Sequence, residues 1–332
     1  MNFRFLPLLL FSLCFFGCRN SATNTESTDA GTPDADSVVL VSPDFSADSA
    51  MAYIKKQVAF GPRIPGTKAH ADCAEWLSRK LKSFGANVQI QSAPVKTYDG
   101  KSFTLKNIIA SYSPEKKNRI LITAHWDARP FSDQDPDPAM KNKPFDAAND
   151  GGSGVGVILE MARELQKKQP ETGIDFILWD IEDYGKENDT QAEEPTWCLG
   201  SQYWASHPHV AGYKAVFGVN LDMVGGYNAQ FLREGHSSAK APDVVKKIWE
   251  TGNEIGYSGY FINANCGDIV DDHYWMNKAG VPSVDIIHYN NAAGFYSNWH
   301  TQKDDLDGLD PNVLKAVGQT VLEVIYREKP VA

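Results

Sequence analysis

Residues 119–127 have the sequence Arg-Ile-Leu-Ile-Thr-Ala-His-Trp-Asp, in which an apolar run ends in polar side chains. An apolar run without alternation is typical of a strand that is buried on both faces, as in a parallel sheet covered by helices. The same pattern predicts three more buried strands at 174–179, 215–221 and 281–287. We therefore expect residues 119–124 to lie inside a largely parallel sheet.

Helical patterns alternate with these strands. Residues 70–84 and 153–169 carry apolar side chains at helical spacing, with Gly85 as a stop for the first helix and Ser153 as the expected N-cap of the second. Asp310-Pro311 predicts the start of a last helix. Two further strands are predicted at 88–93 and 105–112. The fold class is therefore α/β, a three-layer α/β/α sandwich around a mixed, mostly parallel central sheet.

The N-terminal residues are predicted to lie outside this fold. Residues 5–17 form an apolar run that is too short for an ordinary transmembrane helix and follows a positive Arg4, as in a signal peptide. Phe16-Gly17-Cys18 resembles a lipoprotein processing site, so we expect residues 1–17 to be removed and Cys18 to carry lipid. Plain secretion with cleavage nearby is the alternative.

Residues 18–46 are rich in Ser, Thr, Asp and Ala and are predicted to form a disordered tether. Residues 47–332 are then expected to form a single domain, which carries the candidate chemistry described below. The protein is expected to be exported and to face the periplasm on a membrane, inner or outer, through its lipid anchor.

Composition limits the partners and the kind of site. The 332 residues are 42% hydrophobic and carry a formal net charge of −10. Such a chain can bury a sizeable core, and its surface field repels nucleic acid, so we expect no nucleic-acid partner. Cys73, Cys198 and Cys266 are too few and too scattered for a disulfide framework or a cysteine-based zinc site. Cys73 is predicted to lie in the core, and one disulfide among the three stays open.

Polar clusters follow the predicted strands or open the loops between them. They are His125-Trp126-Asp127, Asp146–Asp150, Asp180–Tyr184, Asp222, Asp271–His273 and Trp299–Thr301. Each cluster alone has a structural explanation, because a histidine after a strand is often only hydrogen-bonded and aspartate favours turns. Ligands of open α/β folds, however, bind at the carboxyl ends of the strands. A dense negative cluster there needs protons or a cation, and imidazole with carboxylate is a ligand set for zinc.

Another acidic run lies in a loop, at Asp133, Asp135 and Asp137. It lacks the spacing and the glycine of an EF-hand. We expect these side chains to be solvated.

The ordered set of motifs resembles a known family. The set consists of Phe60-Gly-Pro-Arg-Ile-Pro-Gly-Thr67, the His-x-Asp at His125, Ala148-Asn-Asp-Gly-Gly-Ser-Gly154, the acidic pair Glu182-Asp183, Leu221-Asp222-Met223 and His300-Thr301. Together they resemble the co-catalytic zinc aminopeptidases, and within that group most closely the glutaminyl cyclases of Bacteroidetes bacteria. The resemblance extends from about Asp48 to the C-terminus. The usual acidic pair is Glu-Glu, and Glu182-Asp183 places the chain with the bacterial branch.

The resemblance implies a role for each matched residue. It implies one zinc ion held by Asp150, Asp183 and His300. It implies Glu182 as general acid/base and Asp271 as the hydrogen-bond acceptor for the reacting amide. The remaining implied site residues are His125 and Asp222, as second-metal or outer-shell groups, and Trp197, Trp299 and Ile269, as walls of the substrate pocket.

The implied activity is a glutaminyl-peptide cyclotransferase, a zinc-dependent acyltransferase that closes N-terminal glutamine of peptides or proteins into pyroglutamate and releases ammonia. A monomer is expected. The competing hypothesis is a zinc aminopeptidase, which usually binds two zinc ions. All five ligand positions of that family are present here, at His125, Asp150, Asp183, Asp222 and His300. A third hypothesis is a metal-stabilised binding lipoprotein without catalysis. Such a protein would need no acid beside the site that does not bind metal, so Glu182 next to Asp183 argues against it.

Overall fold

The computed structural model describes residues 38–187 and 195–330. Its helices are α1 (Ala47–Val58), α2 (Lys68–Ser83), α3 (Ser153–Lys167), α4 (Leu199–Ser206), α5 (Gly235–Lys240), α6 (Pro242–Glu254), α7 (Asp272–Lys278) and α8 (Pro311–Arg327), with a short 3₁₀ helix at Leu306–Gly308. Its strands are β1 (Asn87–Lys96), β2 (Ser102–Tyr112), β3 (Arg119–His125), β4 (Gly173–Trp179), β5 (Phe217–Asp222), β6 (Phe231–Arg233), β7 (Phe261–Asn265), β8 (Ser283–Ile287), β9 (Tyr289–Asn290) and β10 (Gly294–Phe295).

Six strands form the main sheet in the order β1-β2-β4-β3-β5-β8. The four strands β4, β3, β5 and β8 are parallel, while β1 pairs with β2 and β2 with β4 in antiparallel fashion. The mixed, mostly parallel sheet predicted from the sequence is therefore confirmed. Because the four parallel strands point the same way, their carboxyl ends meet at one edge.

Helices cover both faces of this sheet. Ile120 and Ile122 of β3 belong to the main core, which also contains buried residues of α1, α2, α3, α6 and α8. Leu121, between them, packs on the other face with Trp204 of α4 and Met276 of α7. Successive side chains of a strand point to opposite faces, so β3 separates two helical layers. This arrangement confirms the three-layer sandwich and explains the unbroken apolar sequence of β3.

The ordered domain begins earlier than residue 47. The backbone N–H groups of Val41 and Ser42 donate to the carboxylate of Glu323 on α8. The N–H of Phe45 donates to Gln319 of the same helix, and the Phe45 ring is 1% exposed. The boundary predicted after residue 46 therefore lies too late, because polar partners on α8 hold a segment that cannot order itself. The predicted signal peptide and Cys18 lie outside the described residues.

Local details differ from the predictions at one helix start and agree at another. Ser153 is the first residue of α3 rather than its N-cap, which is Gly152. Its hydroxyl donates to the carbonyl of Asn149 and accepts from the N–H of Val224, so it joins two loops of the site instead. Asp310 caps α8 as predicted, accepting from the N–H of Asn312.

The cysteines that the structure describes are all unpaired. Cys73, Cys198 and Cys266 are buried free thiols, and Cys73 lies in the main core as predicted. Within the described ranges, none of the helices has the length and apolar character needed to cross a bilayer.

Candidate active site

A cavity of about 390 Å³ opens where the carboxyl ends of the parallel strands meet. Its walls combine acidic groups with aromatic and aliphatic side chains. The lining residues are Arg129, Asp133, Gln134, Asp150, Glu182, Asp183, Glu187, Trp197, Asp222, Met223, Ile269, Val270, Asp271, Ile287, Phe295, Trp299 and His300. All three predicted wall residues, Trp197, Trp299 and Ile269, are among them.

The three predicted zinc ligands lie together at one side of this cavity. Nε2 of His300 is 3.0 Å from Oδ1 of Asp183 and 3.3 Å from Oδ2 of Asp150. One ligand atom from each of the three lies within 4.8 Å of the others. Asp150 comes from the loop before α3, Asp183 from the loop after β4, and His300 from the loop before α8. Three distant segments of the chain thus converge at one point.

A second group shares Asp150. Nε2 of His125, the last residue of β3, is 2.9 Å from Oδ1 of Asp150 and 3.3 Å from Oδ1 of Asp222, the last residue of β5. One ligand atom from each of these three side chains likewise lies within 4.8 Å of the other two. Asp150 therefore lies between the two histidines and belongs to both candidate metal-binding groups.

The chemistry of these side chains fits a metal cation. Nε2 of His125, Oδ2 of Asp150 and Oδ1 of Asp222 are buried and lie at ion-pair distance from neighbouring side chains of the site, but none of them makes a hydrogen bond of normal geometry within the described part of the chain. Burial and the carboxylates of Asp271 and Asp150 raise the pKa of Asp222 to about 7, although His125 opposes the shift. Buried polar groups without partners are costly, and a bound cation would satisfy all three atoms at once.

Two buried carboxylates hold the ligand loops through backbone amides. Asp127 accepts from the N–H groups of Glu182 (3.0 Å) and Asp183 (3.2 Å). Asp304 accepts from the N–H groups of Asn149 (2.8 Å) and Asp150 (3.1 Å). Neither residue was assigned a role from the sequence, because a carboxylate that binds the backbone of another loop has no local pattern.

Asp133 was expected to be solvated, and that expectation is wrong. Nδ1 of His300 is 3.3 Å from Oδ1 of Asp133. Arg129 donates to both oxygens of Asp133, from Nε at 2.9 Å and from Nη2 at 2.6 Å. The Asp133 carboxylate, held in place by the buried Arg129 guanidinium, therefore lies behind His300 at ion-pair distance from its Nδ1.

The backbone at Gly151 lies very close to the backbone of Asp127. Gly151 has φ +76°, and a Cβ placed there would lie 2.3 Å from the carbonyl oxygen of Asp127. Only glycine fits, as the sequence suggested. Non-glycine residues with positive φ also border the site, at Ile181, Cys198, Met223 and His300. Such conformations cost free energy and tend to occur at functional sites.

Glu182 faces the cavity beside the ligand cluster. Its side chain is 14% exposed, and its Oε2 lies 3.7 Å from Nδ1 of His125. Burial raises the pKa of Glu182 well above its ordinary value; His125 opposes this shift, while the carboxylates of Asp183 and Asp271 add to it. A carboxyl group with a raised pKa is suited to exchange a proton near neutral pH.

Asp271 presents a fixed carboxylate to the same cavity. Its Oδ2 accepts from Nδ2 of Asn220 at 2.8 Å, and its Oδ1 accepts from the N–H of Asp272 at the start of α7. Asp271 is 5% exposed and lines the cavity. The carboxylate is therefore positioned to accept a further hydrogen bond from a bound molecule.

Aromatic side chains form the cavity walls around His300. The ring of Trp299 stacks on the His300 imidazole at 3.8 Å, and the ring of Trp197 lies parallel to it at 6.1 Å. Phe295 packs against Trp299 with a centroid distance of 4.7 Å. Ile269 belongs to an apolar cluster under these rings. Phe295, Met223 and Ile287 are wall residues that the sequence did not reveal.

Some members of the predicted polar clusters turn away from the cavity. Asp180 accepts from the N–H of Lys106 and lies 2.7 Å from Nε2 of His70. His273 lies 2.9 Å from Glu234 and, with Asp285, within 4.8 Å of Asp271, so it belongs to a buried network behind the cavity wall. These residues hold secondary-structure elements together and are structural.

Comparison with known proteins finds relatives among zinc-dependent exopeptidases and glutaminyl cyclases. Residues 107–325 match the model of peptidase family M28. The structure of Bacteroides thetaiotaomicron glutaminyl cyclase bound to N-acetylhistamine is 50% identical, covers 87% of this chain and 100% of that chain, and has a TM-score of 0.84. A Zn-dependent exopeptidase from Parabacteroides distasonis is 51% identical, covers 86% of this chain and 99% of its own, and has a TM-score of 0.84.

More distant relatives carry both kinds of description. The glutaminyl-peptide cyclotransferase of Gloydius blomhoffii is 23% identical over 80% of this chain and 77% of that protein. Aminopeptidase YwaD of Bacillus subtilis is 26% identical over 84% of this chain, which spans only 57% of the length of that enzyme. Similarity therefore establishes a shared fold and family, and the surroundings of the site must separate the two reactions.

Proposed function

The chain belongs to peptidase family M28, and we propose that within it this protein is a glutaminyl-peptide cyclotransferase, which converts N-terminal glutamine of peptides and proteins to pyroglutamate with release of ammonia. The observation that supports this reaction most is the fixed carboxylate of Asp271 in a cavity walled by Trp197 and Trp299. An acceptor beside aromatic walls suits a short side chain that ends in an amide. Cleavage of a peptide bond gains nothing from such an acceptor.

Asp150, Asp183 and His300 would hold one zinc ion. When bound, zinc polarises the carbonyl of the substrate amide and stabilises negative charge on its oxygen. The mixed set of two carboxylates and one imidazole agrees with the ligands that zinc takes in proteins.

Glu182 would move the protons of the reaction. As the nitrogen of the neutral α-amine forms its bond to the side-chain carbonyl carbon, that nitrogen must lose one proton, and Glu182 accepts it. When the bond from this carbon to the amide nitrogen breaks, Glu182 returns the proton and ammonia leaves. Its raised pKa makes Glu182 a stronger proton acceptor than an ordinary carboxylate.

Asp271 and the tryptophans would hold the substrate in its reactive shape. Asp271 accepts from the amide NH₂ and so fixes the orientation of the carbonyl carbon. The rings of Trp197 and Trp299 flank the short glutamine side chain. Because amine and amide belong to one residue, holding the folded-back conformer supplies a large part of the rate enhancement.

One observation supports an aminopeptidase as the second candidate. His125, Asp150 and Asp222 form a complete neighbouring ligand set, which is what a second metal would require. Peptidases of this chemistry use metal-activated water, with the acid beside the site as base. Two metals per chain would favour this candidate, and one metal favours the cyclase.

The proposed function is tested by ammonia release from peptides that differ only in the first residue. A Gln-starting peptide should release ammonia, and an Asn-starting peptide should not, because its shorter side chain would have to close a strained, smaller ring. Ammonia from both peptides would indicate an amidase and would contradict cyclisation.

We propose in addition that the protein is exported and anchored at the periplasmic side of a membrane by lipid on Cys18. The apolar run at 5–17 and the Phe16-Gly17-Cys18 sequence support this proposal. Replacing Cys18 with serine should leave the chain uncleaved or release it into the soluble fraction. Unchanged mass and membrane fractionation would contradict the anchor.

A further inference from the structure

The thiol of Cys198 lies between the two carboxylates proposed for catalysis. Its Sγ is 3.2 Å from Oε1 of Glu182 and 3.9 Å from Oδ1 of Asp271. The backbone also joins these segments, since the N–H of Cys198 donates to the carbonyl of Glu182 at 2.9 Å. Cys198 is fully buried. Nothing in the sequence pointed to this residue, which was considered only as a possible disulfide partner.

The arrangement favours a hydrogen-bond donor between the two carboxylates. Two ionised carboxylates that face each other in a buried site repel, and a thiol can donate one hydrogen bond to relieve one of them. Burial and the neighbouring carboxylates raise the pKa of the Cys198 thiol well above its ordinary value. The thiol therefore keeps its proton and acts as a donor.

The contact distinguishes the two oxygens of Glu182. Oε1 is engaged by Cys198, whereas Oε2 is 3.7 Å from Nδ1 of His125 on the other side of the carboxylate. The terminal torsion angle of a glutamate side chain has a broad distribution. A hydrogen bond to one oxygen restricts this angle and so fixes the direction of the other oxygen. A proton-transfer group needs this kind of support from its neighbours.

We propose that Cys198 is a positioning residue: its S–H donates to Oε1 of Glu182 and so aims Oε2 at the substrate. This inference rests on the proposed role of Glu182 as the proton carrier. Cys198 itself is not among the residues that line the cavity, so it would act through Glu182 and not on the substrate.

Two other roles make different predictions. Glu182, Cys198 and Asp271 present ligand atoms within 4.8 Å of one another. If the thiol were a metal ligand, its replacement would remove metal. A thiol that only fills space, as Cys73 does in the main core, would affect stability and leave turnover unchanged.

The test compares Cys198→Ala and Cys198→Ser with Cys73→Ala, on zinc-loaded enzyme and a Gln-starting peptide. We expect Cys198→Ala to lower kcat by about tenfold with KM within about twofold, because misplaced catalytic groups cost rate rather than binding. Cys198→Ser retains a donor and should recover most of that loss. Zinc content should match the wild type in all three variants, and Cys73→Ala should keep the wild-type kcat.

A second comparison asks whether Cys198 acts through Glu182. In a Glu182→Gln background, Cys198→Ala should have no further effect on the residual rate, since coupled residues are not additive. If Cys198→Ala does not accumulate as folded protein, Cys198→Gly replaces it, because Cys198 has φ +59°, which glycine adopts readily.

The proposal is overturned by a wild-type kcat in folded Cys198→Ala or Cys198→Gly, by equal losses in both backgrounds, by failure of serine to rescue, or by loss of zinc. Failure of the proposed function looks different. If Glu182→Gln turns over at the wild-type rate, the role of Glu182 is wrong and the inference falls with it. If Glu182→Gln is inactive while Cys198→Ala equals the wild type, only the inference about Cys198 is wrong.

Discussion

Nδ1 of His300 lies 3.3 Å from Oδ1 of Asp133, on the edge of the imidazole ring opposite Nε2. Nε2 faces Asp183 at 3.0 Å, where the proposed zinc would be held. Histidine ligands commonly donate their second ring nitrogen to a carboxylate, which fixes the tautomer and raises the basicity of the ligand nitrogen. Asp133 is therefore the partner that prepares His300 to bind metal.

The first prediction concerns this partner. Asp133→Asn keeps the size of the side chain and removes its charge, so we expect zinc affinity to fall by about 10–100-fold. Competition with a chelator of known affinity measures the change. Asp137→Asn is the control, because Asp137 is exposed in the same loop. Equal zinc affinity for the wild type and Asp133→Asn would show that Asp133 has no influence on the metal.

The second prediction separates metal binding from proton transfer. Chelation should abolish activity, and added zinc should restore it. Glu182→Gln should keep its zinc and lose roughly two to four orders of magnitude in turnover, as expected for a positioned acid/base. His300→Ala should lose zinc as well as activity. Elemental analysis with steady-state kinetics measures both properties, and full activity in metal-free protein would refute the mechanism.

The third prediction concerns the amide acceptor. Asp271→Ala should impair cyclisation strongly while zinc content stays at the wild-type level, because Asp271 is held by Asn220 and is not a proposed zinc ligand. Asp268→Ala serves as the control, since Asp268 is an exposed acid three positions earlier. If Asp271→Ala cyclised the Gln-starting peptide normally, the amide would have to be held by another group.

The fourth prediction concerns the segment that precedes α1. Glu323 is fully buried and accepts from the N–H groups of Val41 and Ser42, whereas Glu254, which also pairs with Arg327, is 50% exposed. Glu323→Ala leaves those amides without their charged acceptor, so it should lower the free energy of unfolding by about 2–4 kcal/mol. Glu254→Ala should cost less than about 1 kcal/mol. Urea unfolding compares the two, and equal losses would mean that the segment adds no stability.

The sequence predicted the parallel strands well because each is buried on both faces. Such strands, including β3, are unbroken apolar runs that need no long-range information to recognise. The sequence also predicted that the polar clusters at the carboxyl ends of the strands lie together. His125 and Asp222, which end two parallel strands, are in contact as that prediction requires. The ligand roles of Asp150, Asp183 and His300 came from resemblance, and the structure brings these residues together while their metal remains a prediction.

The residues that sequence reasoning missed act across long distances in the chain. Asp304 binds the amide of Asp150, Cys198 contacts Glu182, and neither contact follows from local spacing. Asp133 was assigned to a solvated loop because its partners, Arg129 and His300, cannot be paired with it without the fold. Side chains whose function is to hold other side chains depend on tertiary geometry.

The most direct test of cyclisation is mass spectrometry of three peptides that differ only in their first residue, Gln, Leu or Ala, after incubation with the zinc-loaded enzyme. The structure predicts that the Gln-starting peptide loses one ammonia and keeps every residue, and that the Leu- and Ala-starting peptides remain intact. Release of a free N-terminal amino acid faster than pyroglutamate forms would contradict the cyclase. His125 and Asp222 would then become ligands of a second metal, which a count of two zinc ions per chain would establish.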